Sequence, residues 1–304
     1  MDIRKRDKPI DLLLIEDNPG DRLLTKRMLE KAQYTIFRIS YANNLSAGID
    51  CAMRNKIDVI LSDLNLPDSP DVDTFHKLKL QVPEIPIVVL SGFADEEASL
   101  KAVREGAQDY LIKGQINGNV LERSLLYAIE RKRVEDTVKR LAYHDPLTGL
   151  PNRALFTDRF MMAKANSKRY RMKTALITLD LDHFKDINDN FGFDAGDELL
   201  KEVGSRLLSA LRQTDTVCRM GGDEFALLIP EVTLKKAVGV IVHRIRATMR
   251  KPFACHGFGG MICANLGVAI YPEDGESLET LIKHAGIAPY KEKKARRDDY
   301  SLLN

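Results

Sequence analysis

The sequence predicts two unlike domains: a doubly wound α/β domain on a parallel sheet, then an α+β domain, joined by a long helix. Three observations lead there. The first half alternates short apolar runs with helical stretches, the pattern of a parallel sheet covered on both faces. Asn117 to about Tyr143 then runs without glycine or proline after Gly118. The second half contains Arg212 to Ile229, RQTDTVCRMGGDEFALLI, which reads as two strands around a tight turn, with the apolar strand Ala175–Asp182 upstream. The expected boundaries are 1–130, 131–143 and 144–304.

Size and composition agree. A chain of 304 residues has room for about two cores. With 44% hydrophobic and 30% charged residues it falls among soluble globular proteins. A net charge of +2 gives no strong field for a nucleic acid polymer or a membrane surface. The start, MDIRKRDK, has charges but no apolar run behind them for a signal peptide. No stretch approaches the roughly 20 apolar residues of a membrane span, so a cytoplasmic location is expected. Cys51, Cys218, Cys255 and Cys263 form no Cys-x-x-Cys pair. The last three lie in apolar stretches and are expected to be buried, reduced thiols.

In the first half, Asp11–Ile15 ends at Glu16-Asp17, Val59–Ser62 at Asp63, Ile87–Leu90 at Ser91-Gly92, and Asp109–Ile112 at Lys113. Helices are expected from Pro19 and over Leu45–Arg54, Asp73–Leu80 and Ala94–Glu105. Open α/β sheets place their sites at the carboxyl ends of the strands. Glu16, Asp17 and Asp63 offer enough oxygen ligands there for one Mg²⁺. A carboxylate beside a metal and a lysine can act as nucleophile toward a phosphoryl group. Acidic residues after strands can also be simple helix caps. Five polar residues of suitable type at four strand ends favour the chemical reading.

These residues resemble the receiver domain of bacterial response regulators, a flavodoxin-like fold, over about Ile10 to Ile129. The resemblance implies that Asp63 accepts the phosphoryl group and that Glu16 and Asp17, with Asp63, bind Mg²⁺. It also implies that Ser91 contacts the phosphoryl group, Tyr110 is the switching aromatic and Lys113 pairs with the phosphate. A sensor histidine kinase or phosphotransfer protein is the implied partner. Gly114 stands where proline is usual.

In the connecting helix, Leu121, Leu125, Ala128 and Ile129 fit a packed face. Val134, Val138 and Leu141 continue a narrow seam among mixed charges, suited either to a short coiled coil or to packing on its own chain. Asp145-Pro146 should end the helix.

In the second half, two glycines permit the positive φ of a hairpin turn and bring Asp223 and Glu224 to its tip. If the upstream strand pairs with this hairpin, Asp180 falls beside them. Clustered carboxylates repel unless a cation lies between them. Leu199, Leu200, Val203, Leu207 and Leu208 mark an amphipathic helix between Gly196 and Leu211. Leu234–Met249 reads as helix and Ile262–Ile270 as strand.

The order D-P-L-T-G-L-P-N-R (145–153), D-L-D-H-F-K-D-I-N-D (180–189), Gly196-Asp197 and G-G-D-E-F (221–225) resembles the GGDEF domains of diguanylate cyclases, from about Leu141 to the C-terminus. The resemblance implies a palm-like α+β fold. It also implies a Mg²⁺-dependent condensation of two GTP into cyclic di-GMP, with a homodimer as the active form because each domain holds one GTP. Asp180, the carbonyl of Leu181, Asp223 and Glu224 would hold the cation, and Asp223 is the candidate general base. Lys185, Lys293 and Arg297 would meet phosphate, and Asn188 and Asp197 would read guanine. Arg212 and Asp215 match a product-inhibition site, where the bland reading is a local ion pair.

Three departures fall in the last helix: Gly286, Pro289 and Arg296 replace an acid, a methionine and a glycine. Proline costs a helix interior roughly 3 kcal/mol, so this helix is expected to be kinked or cut short. Phe193 stands where histidine is usual. The alternatives to a phosphorylation-regulated cyclase are a silent module that binds GTP or cyclic di-GMP, and a phosphorylation-dependent dimerisation scaffold.

Overall fold

The computed structural model describes residues 8–92, 96–232 and 235–295, with the backbone alone at 96–99, 235–236 and 287–295. The chain divides into two compact units, Met1–Thr137 and Val138–Asn304.

The first unit holds a five-stranded parallel sheet in the order β2-β1-β3-β4-β5. The strands are β1 (Ile10–Ile15), β2 (Phe37–Ala42), β3 (Val59–Asp63), β4 (Ile87–Ser91) and β5 (Asp109–Ile112). They alternate with α1 (Pro19–Glu30), α2 (Leu45–Arg54), α3 (Val72–Gln81) and α4 (Glu96–Arg104), and α5 (Gly118–Tyr143) follows. Burial on both faces explains the unbroken apolar runs. Leu13, Ile15, Ile60 and Val89 pack with Phe75 and Leu78 on one face. Leu12, Leu14, Leu61 and Val88 pack with Leu121, Leu125 and Ile129 on the other. The strand β2 was not anticipated from the sequence. It is an edge strand whose residues alternate between apolar and polar, and its burial is mostly partial.

Two buried polar ties fix α5. Glu122, fully buried, accepts hydrogen bonds from the backbone amides of Gln33, Tyr34 and Thr35 at 2.8, 2.7 and 2.9 Å. Lys132 donates to the Pro83 carbonyl and pairs with Asp136 and Glu84. Beyond these ties Val134, Val138 and Leu141 are exposed.

The second unit holds a four-stranded antiparallel sheet in the order β11-β6-β8-β7. Its elements are α6 (Arg153–Tyr170), β6 (Lys173–Leu181), α7 (Phe184–Phe191), α8 (Phe193–Ser209), β7 (Thr216–Gly221) and β8 (Glu224–Val232). After these come α9 (Lys235–Met249), the hairpin of β9 (Phe253–Cys255) and β10 (Phe258–Gly260), β11 (Ala264–Tyr271) and α10 (Leu278–Ala295). The period of two splits β6 between two cores. Ala175, Ile177 and Leu179 face α8 and α9, whereas Leu176 faces α6 and α10.

Two expectations need correction. The backbone of α10 is helical through Gly286 and Pro289 to Ala295, so the proline does not end it. Its first half is anchored by packing that outweighs local propensity. Leu281 and Ala285 are fully buried, and the Ala285 carbonyl lies so close to Gly267 that a Cβ there would come within 1.7 Å. Cys218 and Cys255 are buried free thiols as expected, but Cys263 is exposed. It precedes the edge strand β11, where its carbonyl extends the ladder by accepting from Asp182 N.

Candidate functional site

Two constellations emerge, one in each unit. In the first, the carboxyl ends of β1 and β3 bring Glu16, Asp17 and Asp63 together, with one oxygen from each lying within 4.8 Å of the others. Glu16 and Asp63 are buried and Asp17 is exposed. An oxygen-only trio of this size can hold one hard divalent cation. The ammonium of Lys113, just past β5, lies 2.6 Å from Asp63, 2.8 Å from Glu16 and 2.9 Å from Asp21.

Burial disfavours the Lys113 ammonium, but three carboxylates outweigh that cost and hold its pKa above the ordinary lysine value. Burial raises the pKa of Glu16, and Lys113 only partly offsets the shift. Asp63 also accepts from the Asn65 amide at 3.1 Å. The Ser91 hydroxyl is buried at the end of β4 with no hydrogen-bond partner among the described residues. A buried hydroxyl without a partner is costly unless a ligand oxygen meets it. Tyr110 lies half-buried on β5 against the apolar core.

In the second unit the sheet register builds the site. Asp180 on β6 lies directly opposite Glu224 on β8 and Asn265 on β11. Directly opposed residues in antiparallel strands share a face, so these side chains form one row. They line a cavity of about 250 Å³ together with Thr178, Met220, Ile282 and Gly286. Gly221 and Gly222 turn the chain between β7 and β8 at φ 145° and 53°. Asp223 lies within that turn, and Leu181 ends β6. Among the described residues Asp180, Asp223 and Glu224 do not draw together as tightly as the first trio.

Arg219 clamps the turn. Its Nε and Nη2 donate to the Gly222 carbonyl at 2.9 and 2.7 Å, and its Nη1 reaches the Asp145 carboxylate at 3.1 and 3.2 Å. Burial works against ionisation of Asp145. Hydrogen bonds from the Thr148 hydroxyl and amide, and from Arg219, outweigh it and hold the carboxyl below its usual range. The sequence reading put Asp145 at the start of the 145–153 motif without giving its side chain a partner, and it did not single out Arg219. The available signal was an arginine two residues before the glycine pair. Asn265 was missed as well; its Nδ2 donates to Asp182 at 2.6 Å.

Lys185, exposed, and Asn188, half-buried, lie on α7, and the exposed Asp197 lies on α8. Asn188 presses against the next helix, because a Cβ on Gly196 would come within 1.9 Å of its Oδ1. Arg212 and Asp215 share the turn between α8 and β7. Asp215 accepts from the Arg212 backbone amide at 2.9 Å, and the Arg212 side chain is exposed. The side chain of Lys293 and all of Arg297 lie outside the described residues.

A match to a known family falls within each of the two units. The family model for "Diguanylate cyclase, GGDEF domain" matches residues 142–299, and that for "Response regulator receiver domain" matches residues 12–124. The cyclic di-GMP phosphodiesterase NbdA of Pseudomonas aeruginosa is 39% identical over 168 residues, which cover 55% of this chain and 21% of that protein. Diguanylate cyclase TpbB of P. aeruginosa is 37% identical over 163 residues, covering 53% of this chain and 37% of that one. The chain thus spans less than two fifths of these curated relatives.

Among solved structures, the coiled coil and GGDEF domain of DgcB from Caulobacter crescentus, in complex with c-di-GMP, aligns with a TM-score of 0.52 at 27% identity. That alignment covers 58% of this chain and 93% of that one. The GGDEF match takes in more than half of the chain and follows the receiver match. The chain therefore belongs to the GGDEF diguanylate cyclase domain family, with a response-regulator receiver domain preceding that domain.

Proposed function

We propose that the chain is a diguanylate cyclase, regulated by phosphorylation of Asp63, that condenses two GTP into cyclic di-GMP and releases two pyrophosphates. The observation that carries this reading is the register of Asp180 against Glu224 beside a turn clamped by Arg219.

The reaction needs a 3′-hydroxyl brought in line with an α-phosphorus while charge on the leaving pyrophosphate is offset. Asp180, the Leu181 carbonyl, Asp223 and Glu224 are an oxygen-only donor set of the kind that Mg²⁺ takes, with phosphate oxygens completing it. When bound, the cation would neutralise phosphate charge and polarise the phosphorus. Asp223 would take the proton of the attacking hydroxyl. Lys185 would neutralise triphosphate charge, with Lys293 and Arg297 as further phosphate contacts. Asn188 and Asp197 would read the guanine edge, since a carboxylate suits its N1–H and amino group. Arg212 and Asp215 would take cyclic di-GMP as inhibitor; the exposed Arg212 guanidinium can grip a phosphate or a guanine edge.

In the receiver, Glu16, Asp17 and Asp63 would hold a second Mg²⁺. Asp63 would accept the phosphoryl group from a histidine kinase or phosphotransfer protein, with Lys113 and Ser91 meeting its oxygens and Tyr110 answering the change. Each cyclase domain holds one GTP, so catalysis requires a homodimer. Val120, Tyr127, Val134 and Leu141 support this. They recur every seven residues along α5 and are all exposed, the spacing of a coiled-coil seam.

The test is product formation from GTP and Mg²⁺, with and without a small-molecule phosphodonor and with Glu224→Ala as control. Cyclic di-GMP that rises with phosphodonor and vanishes in the control is expected. No product from folded protein that still binds nucleotide would transfer the reading to a silent binding module.

A further inference from the structure

Resting on the assignment of Asn188 and Asp197 to guanine, we infer that Phe193 is the stacking platform for the purine face and sets nucleotide affinity. Phe193 opens α8 and is 80% exposed. It precedes Asp197 by four residues on the same helix, so the two side chains share one face, a turn apart. Asn188 reaches the same corner from α7, where its Oδ1 lies against the backbone at Gly196.

The corner is braced. Gly192 joins the two helices at φ 87°. Phe191, on its other side, packs edge-to-face on Phe258 with ring centroids 5.4 Å apart. Of the two rings flanking Gly192, one is spent on packing and the other is offered to solvent beside the base-reading pair.

An amide and a carboxylate satisfy the edge of a purine but leave its faces in water. An aromatic ring beside them covers a face, and stacking of this kind tolerates any base. Phe193 thus contributes affinity, whereas Asp197 contributes selectivity.

Calorimetric titration of the full chain with non-hydrolysable GTP and ITP analogues separates these roles. Phe193→Ala and Phe193→Leu are expected to weaken both analogues by a common factor of about five- to a hundredfold. Phe193→Tyr should stay within about twofold of the parent, because the ring is kept. Asp197→Ala should instead collapse the preference for the guanine analogue, since inosine lacks the amino group.

Leucine or alanine binding as tightly as the parent would overturn the proposal. So would a loss confined to self-association, read by sedimentation, which would make Phe193 a contact between copies. If Asn188→Ala and Asp197→Ala both leave GTP affinity intact, the guanine assignment falls and takes this proposal with it. If those two weaken binding and the Phe193 variants do not, only the stacking role fails.

Discussion

Arg219 ties Asp145 to the Gly222 carbonyl, joining the loop that enters the GGDEF domain to the turn that carries Asp223 and Glu224. The two residues stand 74 positions apart, and their side chains are only 12% and 17% exposed. Backbone that bears carboxylates proposed to be catalytic needs placement to a fraction of an ångström. A planar guanidinium bonded at both ends supplies it. Arg219→Ala leaves a half-buried carboxylate and a carbonyl without their donor. It is expected to cost about 2–3 kcal/mol of stability and to lower kcat more than it raises KM. Urea unfolding alongside initial rates checks both; an unchanged kcat would show that the turn holds itself.

The same pair gives a pH signature. The folded-state pKa of Asp145 is depressed, so its contribution is present above the unfolded carboxyl value of about 3.9. It is lost as pH falls through the lower folded value. Asp145→Asn should therefore be less stable than the parent at pH 6, with the gap closing below about pH 4. Thermal melts of both proteins from pH 6 to pH 2.5 would show parallel curves if Asp145 contributes nothing.

Glu122 offers a test of the receiver fold alone. Glu122→Ala would take the acceptor from three backbone amides at 33–35, of which that of Thr35 is buried, and is expected to cost about 2–3 kcal/mol. Glu122→Gln keeps one acceptor oxygen and should recover part of the loss. Equal stability of the two variants in guanidinium would mean that the amides find other partners.

Phosphorylation should depend on Asp63. Asp63→Asn is expected to take up no phosphoryl group from acetyl phosphate, read by intact mass, and to show no stimulation of product formation. An Asp63→Asn protein that still responds to the phosphodonor would remove Asp63 from the switch.

Chelation should abolish product formation, and Mg²⁺ should restore it. Asp180→Asn is expected to raise the Mg²⁺ needed for half-maximal rate by about tenfold or more, a loss in the range seen when a ligand's support is removed. An unaltered Mg²⁺ requirement would exclude Asp180 as a ligand.

Much of this architecture was legible from local pattern. Apolar runs ending in Glu16-Asp17, Asp63, Ser91 and Lys113 pointed to a parallel sheet with polar groups at its carboxyl edge. The glycine pair located the turn, and Asp180 was expected near it if the upstream strand paired with the hairpin, as it does. The edge strand β2 escaped because it is only partly buried, so its alternating apolar and polar residues form no continuous apolar run like those of the central strands. The course of α10 was misjudged because propensity alone weighs Pro289 without the packing of Leu281 and Ala285.

By itself the sequence determined most of the helices and strands, which residues can supply carboxylate, hydroxyl and ammonium groups, and in what order the motifs run. These depend on periodicity and turn chemistry within a few residues. Only the tertiary structure decided that Arg219 meets Asp145, that Asn265 joins the row of Asp180 and Glu224, and that Glu122 holds the amides at 33–35. Those contacts join residues 74 to 89 positions apart. Their geometry comes from sheet register and from the packing of whole elements, which no local window contains.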